Sequence, residues 1–448
     1  MEQEQEGKPV SAVAAVREKV RSSVTAKLVV IGVILLLCQI PAAMISALRN
    51  ERSGRAASVE AEVASKWGGA QRITGPVISL SVSRQKEVER NKQTRTVTEY
   101  DHFNIAPEKL HVKGTLTPEI RYRGIYEVIL YRSELTLNGV FPANRKGPAG
   151  RGWQLTPNCA ELVLGISDIK GICDIEVRID GKVCKADPGF LKGRSPASGI
   201  VVPLPQLAAK DPGRPVAFDI RLKLNGCRSL LVYPVGRTTA MELVSSWPSP
   251  SFSGGFLPEK RTITPEGFTA SWIVNEFNRD CPASWLGNIS FTTDQCAGVD
   301  LLKSVNPYAL VGRAVSYDVL IFVIVMVSLL IAEKLSGRWV HPLQYLVAAL
   351  SLVLFYSVLL ALSEHISFNA SYAVSTATVA ALGGFYARLI FGNMKAALGM
   401  AAVTLLSYCV IFVILRLEDY ALLAGSGVLV VLMAVLMGLT GKLNQRNG

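Results

Sequence analysis

Charge and histidine are both scarce in this chain. Of its 448 residues only 18% are Asp, Glu, Lys or Arg, half are hydrophobic, and four are histidine. With a mean hydropathy of +0.31, the shortage of charge excludes a simple soluble domain, a disordered chain and a fibrous repeat. The chain also lacks G-x-S-x-G, H-E-x-x-H, a Walker A loop and G-x-G-x-x-G. It therefore carries no signature of an activated nucleophile, a metalloprotease, a phosphate cradle or a dinucleotide site, and it reads as non-enzymatic with no cofactor. The 47 basic residues exceed the 35 acidic ones, for a net charge of +12. They are spread along the chain with no zinc knuckle or RNP box, so nucleic acid is set aside as a partner.

What is present is long apolar runs. Six stretches are predominantly apolar over about the 20 residues that a bilayer crossing needs: 28–48, then 314–332, 343–363, 366–387, 396–415 and 421–441, with Asp318 the one charge among them. The lipid bilayer is thus the first partner. Tails of 1–27 and 442–448 flank the spans, and 265 residues, 49–313, separate the first span from the other five. Short loops retain Lys and Arg on the cytoplasmic side. With both termini cytoplasmic, the inner loops hold Lys334, Arg338, Arg388 and Lys395 and the tail holds Lys442 and Arg446, while Glu364, Glu418 and Asp419 stand outside with Arg416 as the exception. The 49–313 segment is then extracytoplasmic. Its 35 basic and 26 acidic residues do not oppose this, since long domains translocate regardless of charge. Arg17, Lys19, Arg21 and Lys27 before the first run, and Ile45, Ser46 and Ala47 at its end, also fit a signal peptide. The length of the run and of the 27 residues ahead of it favour an uncleaved anchor.

Residues 70–280 alternate β-branched and aromatic with polar residues at period 2, punctuated by Gly and Pro. The clearest runs are 77–82, 95–105, 121–137, 161–166, 174–180, 216–224 and 239–246. Regularly spaced short strands predict an antiparallel two-sheet fold. Before them, Ala56, Val59, Ala61, Val63 and Trp67 among charges predict a helix leaving the membrane. The fold class is therefore an α+β membrane protein: one N-terminal transmembrane helix, a large β-rich domain, then a bundle of five transmembrane helices. Six of the eight cysteines, Cys159, Cys173, Cys184, Cys227, Cys281 and Cys296, fall in the external domain. In an oxidising compartment they predict disulfides with 15 possible connectivities, of which Cys173–Cys184 and Cys281–Cys296 join near neighbours.

Candidate binding residues fall in two groups. His341 and Tyr345 open the third span, and Glu364 and His365 close it. Twenty-four helical residues place the two histidines about 36 Å apart, so they cannot share a metal. Pro342 in the first turn and His341 before it also read as an ordinary helix start. Glu364 and His365 set an acid beside a base at the outer face, where they could seat a ligand or the domain itself. The string Ser246–Pro258 supplies the other group, Trp247, Phe252 and Phe256 with Leu257. Its three prolines and the pair Gly254-Gly255 bar it from a central strand and predict an ordered loop or a docking surface. A coupled transporter would need ionisable residues at mid-depth. The third to sixth spans have none in their centres, and Asp318 and Glu333 lie near the ends of the second. Ala373, Ala377 and Ala381, followed by Gly383 and Gly384, predict close helix packing instead.

Several strings together are distinctive: Gly75-Pro76-Val77-Ile78, Pro234-Val235-Gly236-Arg237, Ser246 through Phe252 into Gly255-Phe256-Leu257-Pro258, then Arg261, Gly267-Phe268, Ala270 and Trp272. His341-Pro342-Leu343-Gln344-Tyr345-Leu346, Phe355-Tyr356 and Leu362-Ser363-Glu364-His365 continue them in the third span. On these strings the chain, from about 30 to 440, resembles the CreD family of inner membrane proteins, also called cell envelope integrity proteins. It departs from the pattern in a longer charged N-terminus and in its six external cysteines. The resemblance implies a bacterial inner-membrane protein with a periplasmic domain, linked to envelope integrity and to a two-component system that responds to envelope or growth conditions. It supplies no catalytic residues. The leading expectation is a protein that acts by contact with an envelope component or partner protein. The alternative is a carrier or permease for an amphipathic envelope molecule such as a lipid, and a third reading is a membrane-bound hydrolase.

Overall fold

Among the described residues the first helix is also the longest element. In the computed structural model, which describes residues 24–90, 93–143, 152–190, 198–204, 214–289, 291–303, 306–417 and scattered positions between 423 and 437, α1 runs over Val24–Trp67 and passes through Pro41. The chain divides into two units, Met1–Arg55 with Val305–Gly448, and Ala56–Ser304. α1 contributes to both.

Among the described residues the second unit holds seventeen strands. They are β1 (Gln71–Arg90), β2 (Gln93–Ile105), β3 (Lys109–Arg123), β4 (Tyr126–Phe141), β5 (Gln154–Ile166), β6 (Ile172–Ile179), β7 (Lys182–Cys184), β8 (Asp187–Phe190) and β9 (Ser198–Pro203), followed by β10 (Val216–Cys227), β11 (Ser229–Tyr233), β12 (Thr238–Ser245), β13 (Pro250–Gly254), β14 (Lys260–Thr264), β15 (Gly267–Asn275), β16 (Ser284–Leu286) and β17 (Ala297–Leu301). One sheet has the order β13-β17-β11-β1-β5-β9-β8, with β2 joined to β1 and β16 to β2. The other has the order β14-β15-β12-β3-β4-β10-β6-β7. Pairing is antiparallel except between β1 and β11 and between β12 and β3.

The alternation read from the sequence sets the faces. On β10, Val216, Phe218, Ile220, Leu222 and Leu224 point inward while Ala217, Arg221 and Lys223 point out. Both sheets feed one apolar core, with Ile73, Ile78, Leu162 and Leu230 from the first and Leu110, Leu137, Ile220, Leu243 and Trp272 from the second. β4 breaks the alternation at Val128–Tyr131, where four successive residues are buried. Ile129 and Tyr131 face the core, whereas Val128 and Leu130 are covered, with Cys227, by Val59, Val63 and Trp67 from the end of α1. The spacing of Val59, Val63 and Trp67 puts them on one helix face. Arg121 lies 4.2 Å and Arg132 5.5 Å from the Trp67 ring centre. Arg123 pairs with Glu62 at 2.7 Å. The Lys66 hydrogen bond, then the charge of Arg123, hold the Glu62 carboxyl below the usual range. The helix expected over 49–67 is thus the continuation of the first span, and aromatic, cation–π and ionic contacts fix its end to the domain.

In the other unit, α2 (Pro307–Val315), α3 (Asp318–Ser336), α4 (Pro342–Ser363), α5 (Phe368–Phe391) and α6 (Met394–Arg416) follow the sheets. Among the described residues five helices are long and apolar enough to cross a membrane: α1, α3, α4, α5 and α6. The last expected span, 421–441, lies for the most part outside the described residues, as do the expected tails apart from Val24–Lys27. α2 is a separate short helix. Asn306 caps it by accepting from Tyr308 and Ala309 N–H, and Pro307 occupies the first turn. The chain breaks at Ser316 and Tyr317 before α3 begins at Asp318, and Gly337 in the left-handed region (φ 63°) ends α3.

The small-residue stripe expected on α5 is offset by one position. Ala373, Ala377 and Ala381 are exposed, while Thr376, Ala380 and Gly384 are buried. A methyl group on Gly384 would stand 3.0 Å from Ala401 Cβ and 3.1 Å from the Ala397 carbonyl of α6. Four-residue spacing identified a packed helix face, but two adjacent faces of α5 share that spacing, and only Gly384 allows the approach that α6 makes.

Candidate functional site

Charge enters the membrane unit at three levels. The first lies where α1 begins. Lys27 pairs with Glu333 on α3, and Tyr345 Oη on α4 donates to Glu333 Oε2 at 2.7 Å. All three are at most 5% exposed. A buried ion pair survives desolvation only when its remaining lone pairs are satisfied, and Tyr345 supplies that third contact. His341 stands at the same end as the cap of α4. Its Nδ1 accepts from Leu343 N–H at 3.2 Å, while its own N–H donates to Gln344 Oε1 at 2.8 Å. Its ring meets Trp339 edge to face at 5.2 Å. The ordinary helix-start geometry read for His341-Pro342 is what the structure contains, and Tyr345 is a member of a buried charge cluster.

The second level lies at the far end of α4. Glu364 Oε1 accepts from Tyr308 Oη of α2 at 3.1 Å, and Glu364 Oε2 lies 3.8 Å from Arg52 Nη1 of α1. The expected partner, His365, is exposed. Glu364 therefore joins α1, α2 and α4 through two residues that sequence spacing did not connect with it, 312 and 56 positions away.

The third level lies between these two. Asp318 is 4% exposed, and Gln39 Nε2 of α1 donates to its Oδ2 at 3.4 Å. Phe355 of α4 stacks on Tyr408 of α6 at 4.0 Å and meets Tyr372 of α5 edge to face at 5.1 Å. Tyr372 Oη donates to the Tyr408 carbonyl at 2.8 Å, and Tyr408 Oη to the Leu352 carbonyl at 3.2 Å. The expectation that ionisable residues are missing at depth holds for α4 to α6. On α3, Asp318, read near one end of the second span, is buried at the first position of the helix. The same unit contains an apolar groove of about 880 Å³ between α1, α4 and α5, lined among others by Met44, Leu48, Leu350, Leu354, Leu382 and Phe385. Each of these six is more than 40% exposed.

In the sheet unit, the string expected to be a loop contains β13, an edge strand paired with β17. Its aromatics turn inward. Phe252 meets Phe268 and Trp272 edge to face, each at 5.8 Å, and Trp247 Nε1 donates to the Leu302 carbonyl at 2.9 Å. Trp272 Nε1 donates to the Phe256 carbonyl at 3.0 Å. The adjacent glycines are needed for close approach. A Cβ on Gly254 (φ +101°) would lie 2.0 Å from the Cys296 carbonyl oxygen, and one on Gly255 2.0 Å from that of Asp294. Trp247, Phe252 and Phe256 therefore pack on the core, while Leu257 is 76% exposed.

The disulfide expectation is corrected: all eight cysteines are free. Cys184 pairs with Val177 in the β6–β7 ladder. Cys173 is four strand residues further on, about 13 Å, beyond the reach of a bridge. Cys281 Sγ donates to the Pro282 carbonyl and Cys296 Sγ to the Thr292 carbonyl, each at 3.5 Å.

The fold and the buried charge clusters define a multi-span membrane protein with a two-sheet domain inserted between its first and second hydrophobic segments. The model of the family described as Inner membrane protein CreD matches residues 23–445. The chain is 30% identical over 417 residues to Inner membrane protein CreD of Escherichia coli (strain K12), covering 92% of this chain and 91% of that one. It belongs to the CreD family of inner membrane proteins.

Proposed function

We propose that this chain is a non-enzymatic, multi-pass inner-membrane protein with both termini cytoplasmic and its two-sheet domain in the periplasm. There it contributes to envelope integrity or the envelope stress response by contact with an envelope component or partner protein, in functional connection with a two-component signalling system. The observation that carries the contact reading is the filled core. Side chains of both sheets, with Trp272, Phe268 and Tyr233 among the largest, occupy the space between them. A packed sandwich acts through its surface. The charge distribution of the short loops supports the orientation.

The test is a deletion strain assayed for sensitivity to detergents and cell-wall stress. Expression of the wild-type chain restores resistance. Leu257→Asp and Phe277→Asp, at positions 76% and 92% exposed, lower resistance without changing the amount of folded protein. Full restoration by charged variants across the whole domain surface would remove the contact reading.

The groove between α1, α4 and α5 favours a second reading, a carrier or permease for an amphipathic envelope molecule. Native mass spectrometry from mild detergent separates the two. A lipid adduct that is lost when Leu354→Trp fills the groove supports the carrier, and a bare chain supports contact.

A further inference from the structure

We infer that Asp318 is an intramembrane site for one positive charge, taken up as a proton or as Na⁺. This inference is independent of how the sheet domain acts. Fifteen residues separate Asp318 from Glu333 along α3, about 22 Å, and Gln39 stands twelve residues beyond Lys27 on α1, about 18 Å. Both routes put the carboxylate well inside a hydrocarbon layer about 30 Å thick.

The two acidic residues of α3 are treated differently. Glu333 has Lys27 and Tyr345. Among the described residues no Lys or Arg pairs with Asp318, which receives the neutral Gln39 amide and the Val319 N–H at its own helix start. A carboxylate removed from water with only neutral donors must be neutralised by something it binds.

A second observation points to the same place. Tyr356 Oη on α4 is fully buried, has no hydrogen-bond partner, and lies within range of the Asp318 charge. Gln39 of α1 is hydrogen-bonded to the carboxylate, and Cys38 of α1, Tyr356 of α4 and Tyr408 of α6 lie within its electrostatic reach. None of them carries a positive charge. The break between α2 and α3 is the kind of interrupted helix that brings a charged group to such a depth.

The test uses the full chain in detergent and dicyclohexylcarbodiimide, which reacts with protonated carboxyls in apolar surroundings and leaves an N-acylurea that peptide mass spectrometry locates. An adduct is expected at Asp318 and not at the paired Glu333. If Na⁺ suppresses it at constant pH and ionic strength while choline does not, the bound charge is Na⁺. If it grows with falling pH and ignores Na⁺, the charge is a proton. The variant Asp318→Asn keeps the side-chain shape and is expected to lose the response of the melting temperature that Asp318 gives to Na⁺, or to pH below the range in which the cysteines titrate. Either the selective adduct or the lost response supports the site. No adduct selective for Asp318, together with an Asp318→Asn chain that responds as the wild type does, overturns it.

Discussion

At the scale of single residues, the membrane unit depends on charges that are useful only together. Lys27→Met leaves the Glu333 carboxylate buried without its cation, and is expected to cost about 3–5 kcal/mol of stability. Adding Glu333→Gln to Lys27→Met should recover most of that loss. Thermal or denaturant unfolding of the three chains in detergent measures it, and equal losses in the single and double variants would contradict a buried pair. In the sheet unit the cysteines make stability depend on pH. Burial first, then the charge of Glu60, pushes the Cys227 thiol up to about 11, and burial pushes Cys296 to about 11 from an ordinary value of 9.0. Between those values the folded chain keeps protons that the unfolded chain releases, so the stabilisation is complete below pH 9 and is lost as pH rises through 11. The melting temperature of the wild type should fall more steeply over that window than that of a Cys227→Ala, Cys296→Ala chain. Lys27 illustrates why sequence alone misses such sites: it read as one of several basic residues ahead of a span. Its partner lies 306 positions away, and no local spacing connects them.

At the scale of elements, the end of α1 shows what periodicity can and cannot reveal. Val59, Val63 and Trp67 were legible as a helix face, and the strands as alternation. The surface that receives that face, Val128, Leu130 and Cys227, was not, because it is assembled from neighbouring strands of one sheet. Trp67→Ala removes the lid over that patch. Alkylation of Cys227 should then become readily detectable under conditions in which the wild-type thiol, 3% exposed, is protected. Quantitative mass spectrometry of the modified peptides reads the difference, and unchanged protection would mean that Trp67 does not cover the thiol. The string Ser246–Pro258 was legible as unusual and as unfit for a central strand. Its role was not, because the contacts that turn Phe252 inward come from β15, and the close approach at Gly254 comes from the Cys296 backbone. Glu364 likewise stood out as a charge at a helix end, while its bond to Tyr308 required the short helix α2, most of which fell in the 49–313 segment read as the external domain.

At the scale of the whole molecule, apolar run length identified the membrane-crossing helices, and the charges between them predict their direction. Cys159 and Cys173 are exposed on the sheet unit. A membrane-impermeant maleimide added to intact spheroplasts should therefore label both, and labelling only after lysis would reverse the orientation. Strand order reaches further than orientation. The centre of the first sheet sets β1, which starts at Gln71, beside β11, which in turn is bordered by β17, ending at Leu301. Contacts of such sequence separation form late. During synthesis β11 keeps one bare edge until β17 has been made, and β13 has no neighbour until then. The domain can be completed only when the ribosome has nearly reached the second hydrophobic segment. A chain interrupted before Leu301 would carry an open sheet edge, a template for aggregation, so quality control of this protein should depend on the last few residues of its domain.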